Sequence, residues 1–437
     1  MFRTLINAFK NKEVRTKILI TIALLFLYRV GCWLPVPGIS KDAFVDYLGG
    51  GENNLLSLLS AVTGSALANG AIFALGISPY INASIIVQLL TSAIPAWEKY
   101  SKQGEEGRKK INNITRYFTL GLATLQAVGI TISWANAGGL ATGMFEGSFF
   151  GTTWVLGVFV ALMLIAGSMF TTWLGERITE IGVGNGISLI IFIGILSTAG
   201  QAILATVTSF GTDEMAPWSL LGFVLLALVI FGLIVFVDLA ERRITVQYAK
   251  QIKGRKQYGG QNTNIPIKIN ASGVMPIIFA TAIITFPQMI AQMVAPASDF
   301  AAGYDRLMGA GQPLYSAVLA ILIVLFSYFY ASLQFNPEEV ARNLQQFGGF
   351  LPGIRPGKPT YEYLKKISKR LTLFGAIFLA FIALIPGLLF GFITSGNTTL
   401  VNSMTATGML IVVSVGLEFD KQLQSLMMMK QYKGFLK

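Results

Sequence analysis

The stretch ALGISPYINASIIVQLL, residues 74–90, is apolar enough to lie in a bilayer, yet it carries Gly76, Pro79, Asn82, Ser84 and Gln88. Hydrocarbon offers such amides and hydroxyls no partner, so a spanning helix must turn them toward protein or a water-filled space. At 100° per residue, Ile77, Ile81, Ser84, Gln88 and Thr91 fall within an arc of about 80°. That face is isoleucine at one end and polar at the other. It fits either hydrogen-bonding glue between helices or the wall of a pore, and the stretch alone leaves both open. Pro79, between the two isoleucines, is expected to bend the helix. Asn82 lies off the arc and is left to bond a neighbouring helix.

Composition places this stretch in a membrane protein. The 437 residues are 53% hydrophobic and 12% charged, about half the charge of a soluble domain. The single cysteine, Cys32, excludes an internal disulfide or a cysteine-clustered metal site. The absence of histidine removes the commonest metal ligand and proton shuttle. Most metalloenzyme and redox classes are thereby excluded, and no cofactor is expected. The N-terminal MFRTLINAFKNKEVRTK is basic, but the apolar segment behind it has no small-residue cleavage site, so it reads as a retained first span.

A span needs about 20 mostly apolar residues. Ten stretches qualify, near 18–34, 71–94, 117–134, 152–174, 184–206, 218–237, 274–294, 313–335, 371–393 and 400–417. Thirty of the 33 Lys and Arg residues fall in the two terminal tails or in the loops after spans two, four, six and eight. By the positive-inside rule those segments, and both termini, are cytoplasmic. The net charge of +12 is therefore a property of one membrane face, which also suits anionic lipid. The loops at about 239–270 and 336–370 are long for connections. The first interleaves aromatics, amides and glycines with basic residues. In the second, FGGFLPGIRPGKPTYEYLKK, prolines and glycines fix a turn around Arg355. Two such protrusions suit a channel that docks a large acidic or RNA-containing partner.

Spans five and seven open like span two. GVGNGISLIIFIGI has Gly182, Gly184 and Gly186 ahead of Ile187 and Ile191. NASGVMPIIFATAIITFP has Gly273 and Pro276 ahead of Ile278, Thr281 and Thr285. Converging isoleucines can close a pore by dewetting; ordinary core packing is the plainer reading. Before span two, NNLLSLLSAVTGSALANG, residues 53–70, spaces Leu55, Leu58, Leu59 and Val62 as a helix does, but is too short and polar to span. It fits an external interfacial helix or a re-entrant plug equally well. No span carries a mid-membrane carboxylate, as Asp238, Glu418 and Asp420 sit at span ends. That disfavours the alternative of a secondary transporter of small solutes. No GxxxxGK[ST] phosphate loop and no nucleophile–base set is present, so the chain is not read as an enzyme.

The strings GCWLPVPGI, IFALGISPYINASIIVQLL, KQGEEGRKKINNITRY, WLGERITEIGVGNGIS, QYAKQIKGR, GVMPIIFA, FNPEEVARNL, LPGIRPGKPT and LIVVSVGLEF together resemble the SecY family of protein-translocation channels, in order and over essentially the whole chain. The resemblance implies an all-α polytopic membrane protein of the bacterial cytoplasmic membrane. It would have ten helices in two pseudo-symmetric halves, 1–206 and 207–437, around an hourglass pore for unfolded polypeptides. It implies a pore ring of Ile77, Ile81, Ile187, Ile191, Ile278 and Ile411. It implies a plug that includes Leu55, Leu58, Leu59, Val62, Gly64 and Leu67. The serines, threonine and Ala68–Asn69 of that segment depart from the family's glycine-rich version. A lateral gate would involve spans two, three, seven and eight, with Ser84, Gln88 and Thr281 as polar contacts. Arg243, Lys250, Arg255, Lys256 and Arg355 would dock the SecA motor ATPase or the ribosome. Small SecE-type and SecG-type subunits, signal peptides and nascent chains complete the implied partners.

Overall fold

The computed structural model describes residues 6, 8–39, 63–64, 66–67, 69–136, 140, 153–208, 216–248, 251–253, 256–258, 263–270, 272–294, 303–304, 307–308, 312–393 and 406–435. Each of the ten expected spans falls on a helix. They are α1 (Lys12–Gly31), α2 (Ser78–Ala93), α4 (Glu105–Asn136), α5 (Thr153–Ile181), α6 (Gly186–Thr208), α7 (Ala216–Leu239), α8 (Met275–Val294), α9 (Pro313–Gln334), α11 (Lys358–Ile393) and α12 (Ala406–Phe435). Two short helices outside the spans are α3 (Pro95–Lys102) and α10 (Pro337–Gln346). Among the described residues, five helices are long and apolar enough to cross a membrane by hydropathy alone. The helix of span two, at 16 residues, is shorter than that criterion, and Met275–Thr285 of span seven counts as a shorter apolar helix.

Local chemistry sets the boundaries. Asn336 caps α10, its side chain accepting from the Glu338 N–H at 3.2 Å, with Pro337 at the first helical position and two glutamates in the first turn. Pro287 lies inside α8, where it removes a ladder bond. The nearby Ile284 carbonyl accepts from the Tyr304 hydroxyl at 2.7 Å.

The start of span two departs from the expectation. Residues 71–77 are not helical but a run of turns. Their backbone bonds go elsewhere: Ile72 N–H donates to Leu34 O at 3.0 Å, Ala74 N–H to Ala71 O at 2.9 Å and Gly76 N–H to Phe73 O at 2.8 Å. Gly76 sits at φ +52°, a conformation that ends such a run cheaply only for glycine. Pro79 then falls at the start of α2, not mid-helix. It therefore does not bend a helix between Ile77 and Ile81. Its fixed φ begins one, with Ile77 as the capping residue.

Among the described residues the spans are helical apart from 71–77 and the span ends. The loops after spans six and eight add short strands that the sequence reading leaves unassigned: β1 (Glu241–Tyr248), β2 (Gln251–Lys253), β3 (Lys256–Tyr258), β4 (Thr263–Lys268) and β5 (Gly349–Phe350). β1 pairs antiparallel with β4, Arg243 opposite Pro266. The far end of β1 pairs with β5, Gln247 opposite Phe350. The two loops are therefore one folded unit, over a core of Ile244, Val246, Ile267, Leu344, Leu351 and Leu364.

Glycines let the helices approach. A Cβ at Gly186 would stand 2.1 Å from the Gly175 carbonyl oxygen and 2.6 Å from the Ile178 Cβ, so α5 and α6 meet backbone to backbone. Gly186→Ala must push them apart. The expected cost is about 1–3 kcal/mol, read as a lower midpoint of thermal unfolding in detergent; an unchanged midpoint would show that the contact yields freely. On α7, Phe223, Ala227, Ile230, Ile234 and Val237 are buried at helical spacing. Leu221, Val224, Leu228, Val229 and Phe236 are exposed on the other side. Apolar residues on both faces are what a lipid-contacting helix requires.

Candidate functional site

All six isoleucines of the expected ring belong to one apolar cluster. Ile77, Ile191 and Ile411 are buried in it, and Ile81, Ile187 and Ile278 pack against it partly buried. They come from the start of α2, the first turns of α6, the first turn of α8, and α12. Gly175 on α5 makes room: a Cβ there would lie 3.1 Å from Ile187 and 3.4 Å from Ile77. Periodicity gives no hint of that residue. Ile81 and Ile278 also touch a second, larger core, built around Phe279, Phe326 and Tyr330.

Of the expected plug, Leu55, Leu58, Leu59 and Val62 lie outside the described residues. Gly64 is held at its carbonyl by the Arg29 guanidinium at 2.8 Å. It has φ +67°, and a Cβ there would meet Arg29 at 2.7 Å and Gly194 at 3.1 Å. Arg29, a cation within span one, is thus tied to Gly64 of the expected plug. Leu67 does not join the isoleucines. It is buried with Val36, Leu75, Trp134 and Leu156, while its neighbour Ala66 joins the isoleucine cluster. The alternation of turn backbone here, not helical spacing, decides which side chain faces which core.

The three expected gate residues differ. The Ser84 hydroxyl donates to Ile81 O at 2.8 Å, and Thr281 donates to Ile277 O and Ile278 O at 3.0 Å, so both bond within their own helices. Gln88 alone crosses: its Oε1 accepts from the Tyr330 hydroxyl on α9 at 2.5 Å. Tyr330 also packs on Phe279 of α8, ring centroids 5.1 Å apart. The helix pair α2–α4 therefore meets the pair α8–α9 along packing of α4 on α8, through Ile81 and Ile85 of α2 in the larger core, and through this side-chain bond. Tyr330 has no sequence signal beyond being an aromatic in a span. On the other side of α4, Arg116 binds Glu176 on α5 bidentately, at 3.0 and 2.6 Å, a geometry that pins orientation as well as charge.

Among the expected docking residues, Lys250 and Arg255 lie outside the described residues, and Lys256 opens β3. Arg243 is exposed on β1 and paired with Glu241 at 2.8 Å. Arg355 is exposed, and its carbonyl accepts from the buried Thr360 hydroxyl at 2.9 Å, which fixes the turn. A cavity of about 210 Å³ between the loops is lined by Arg242, Arg243, Leu351, Pro352, Ile354 and Tyr363. Nearby, Tyr361 accepts from the Lys365 ammonium at 3.1 Å. That bond raises the lysine's pKa above its ordinary value.

Comparison with known proteins places this geometry. The SecY family model matches residues 71–419. The chain is 40% identical over 445 residues to the protein translocase subunit SecY of Halalkalibacterium halodurans, covering all of both. It is 39% identical over 443 residues to that of Thermus thermophilus, covering all of this chain and 98% of that one. The solved structure of a protein conducting channel superposes with a TM-score of 0.62 at 20% identity, over 94% of this chain and 91% of that one. Sec61 in the canine ribosome-channel complex gives 0.60 at 19%, with the same coverages. These two fix the fold only. A match of this length and completeness leaves no room for a small-solute carrier: the chain belongs to the SecY family, and is a protein-conducting translocase subunit without enzymatic activity.

Proposed function

We propose that the isoleucine cluster is the resting seal of a pore that passes unfolded secretory polypeptides across a bacterial cytoplasmic membrane. Both termini and the β-containing unit lie on the cytoplasmic side, as the basic loops require. The carrying observation is that Ile77, Ile81, Ile187, Ile191, Ile278 and Ile411 share one cluster, although they come from helices in both halves, 1–206 and 207–437. Such a constriction excludes water and ions by dewetting, yet it can spread around a chain because isoleucines hold one another only by dispersion.

The plug end held by Arg29 backs the seal. The junction of α2–α4 with α8–α9 serves as the lateral gate, through which apolar segments reach lipid. Signal peptides and nascent chains are the cargo. Arg243, Lys250, Arg255, Lys256 and Arg355 dock a SecA motor ATPase or a ribosome, and SecE-type and SecG-type subunits cover part of the apolar exterior. The test is reconstitution: vesicles with this chain, the small subunits and SecA should protect a secretory precursor from protease only with ATP. Partner-free uptake of a small solute against its gradient would overturn the reading.

Under this reading the Gln88–Tyr330 bond holds the gate shut. Tyr330→Phe keeps the ring packing on Phe279 and removes only the hydroxyl. Transport of a precursor with a weakened, less apolar signal should rise on the order of fivefold, the worth of one net hydrogen bond, with an optimal signal little affected. An equal change for both signals would show that the bond does not act at the gate.

A further inference from the structure

Asp238 breaks a local rule. It sits in the last turn of α7, where the negative end of the helix dipole disfavours a carboxylate. Among the described ion pairs none involves it. Instead neutral donors satisfy both its oxygens. Asn270 Nδ2 donates to Oδ1 at 2.8 Å, and the Ser414 hydroxyl donates to Oδ2 at 2.8 Å. These donors lie 32 and 176 residues away in the chain. Ser272 donates in turn to Asn270 Oδ1, at 3.5 Å.

The placement of the three residues is the point. Asp238 precedes β1, and Asn270 follows β4. The Ile269 N–H donates to Ala240 O at 3.1 Å, closing the base of the hairpin beside the carboxylate. From Asn270 the chain passes Ser272 and Gly273 into α8, whose first turn carries Ile278. Ser414 stands one turn from Ile411 on α12, three residues on and so on the same side. One carboxylate therefore joins the foot of the cytoplasmic β unit to α12 directly, through Ser414, and to α8 through the short chain segment after Asn270. Asn270 and the Ser272 behind it are buried, and Ser414 is half-buried, so water competes least for the Asn270 bond.

We propose that Asp238 is a positioning residue that transmits displacement of the cytoplasmic β unit, when a partner docks, to the seal isoleucines on α8 and α12. This rests on the docking role proposed above for Arg243 and Arg355. A hydrophobic contact in its place would let the hairpin base slide; a doubly accepting carboxylate between two fixed donors couples position to position. The residue touches no cargo and acts only through Asn270 and Ser414.

The experiment uses the complete translocase in vesicles. SecA affinity and precursor protected per bound SecA are measured separately for Asp238→Asn, Ser414→Ala and Asp238→Glu. Asp238→Asn turns one acceptor into a donor. Ser414→Ala removes one donor and leaves the Asn270 bond, so it keeps the test valid if the asparagine variant does not assemble. Expected is unchanged SecA affinity with protection per bound SecA down about fivefold in both, and recovery toward the starting level in Asp238→Glu. A merely structural role would lower the amount of assembled translocase and leave that ratio where it was. An unchanged ratio overturns the coupling, as does loss of SecA affinity itself, which would make the cluster part of the docking surface. Arg355→Glu runs alongside. If it binds SecA normally the docking role fails, whereas if it loses binding while Asp238→Asn couples normally only the present inference fails.

Discussion

Replacing Ile81 and Ile191 together with asparagine should leave a folded channel that leaks ions at rest. Ile191 is buried in the isoleucine cluster, and Ile81 packs against it from α2. Amides there supply hydrogen bonds that let water bridge a constriction otherwise too apolar to wet. A barrier lowered by about 1.4 kcal/mol raises the flux tenfold, and two amides should supply at least that. The measurement is single-channel conductance in a planar bilayer, with no partner and no precursor. Asparagine has as many side-chain heavy atoms as isoleucine and less bulk, so the helices need not separate. Unchanged conductance would remove these residues from the seal and return the cluster to ordinary packing.

Arg355→Glu should abolish motor-driven translocation while leaving the fold intact. The side chain is exposed, and the turn that carries it is held by the Thr360 hydroxyl on the Arg355 carbonyl, which the substitution does not touch. A surface change of this kind moves stability by about 0.5 kcal/mol or less. Its effect on a docking partner is larger, because an attraction becomes a repulsion between like charges. Precursor protection should fall on the order of a hundredfold, as expected when a charge contact worth about 2–5 kcal/mol is lost at an interface, with an unchanged unfolding midpoint. Normal translocation would remove Arg355 from the docking surface.

Much of this was legible because membrane helices advertise themselves. The positions of the ten spans follow from hydropathy, and each lies on a helix. The isoleucines at the openings of spans two, five and seven stood out beside glycine and proline, and they do share a cluster. What stayed hidden was set by contacts far along the chain. Residues 71–77 are as apolar as a helix, and only their backbone bonds to the segment after α1 show otherwise. Pro79 therefore reads as a kink in the sequence and is a helix start in the fold. Ser84 and Thr281 are, in sequence, candidates for polar contacts at a gate. Hydroxyls in helices readily bond back to a carbonyl one turn earlier, and both do so, whereas the longer Gln88 cannot close that ring as easily and reaches Tyr330. The pairing of β1 with β5 joins residues about a hundred positions apart, and no local periodicity encodes that.

That last pairing has a consequence for how such channels can be altered. Because Gln247 lies opposite Phe350 and Tyr248 opposite Gly349, the loops after spans six and eight share a ladder and a core. A large partner docking there, as proposed, would meet a prearranged surface, and the loops would lose little ordering entropy on its arrival. A loop transplanted alone from a distant relative would bring strand edges and core residues that fit the donor's other loop and not the host's. Chimeras should therefore work when both loops are exchanged together and fail when either travels alone, so that the pair behaves as one heritable module despite the two spans threaded between its parts.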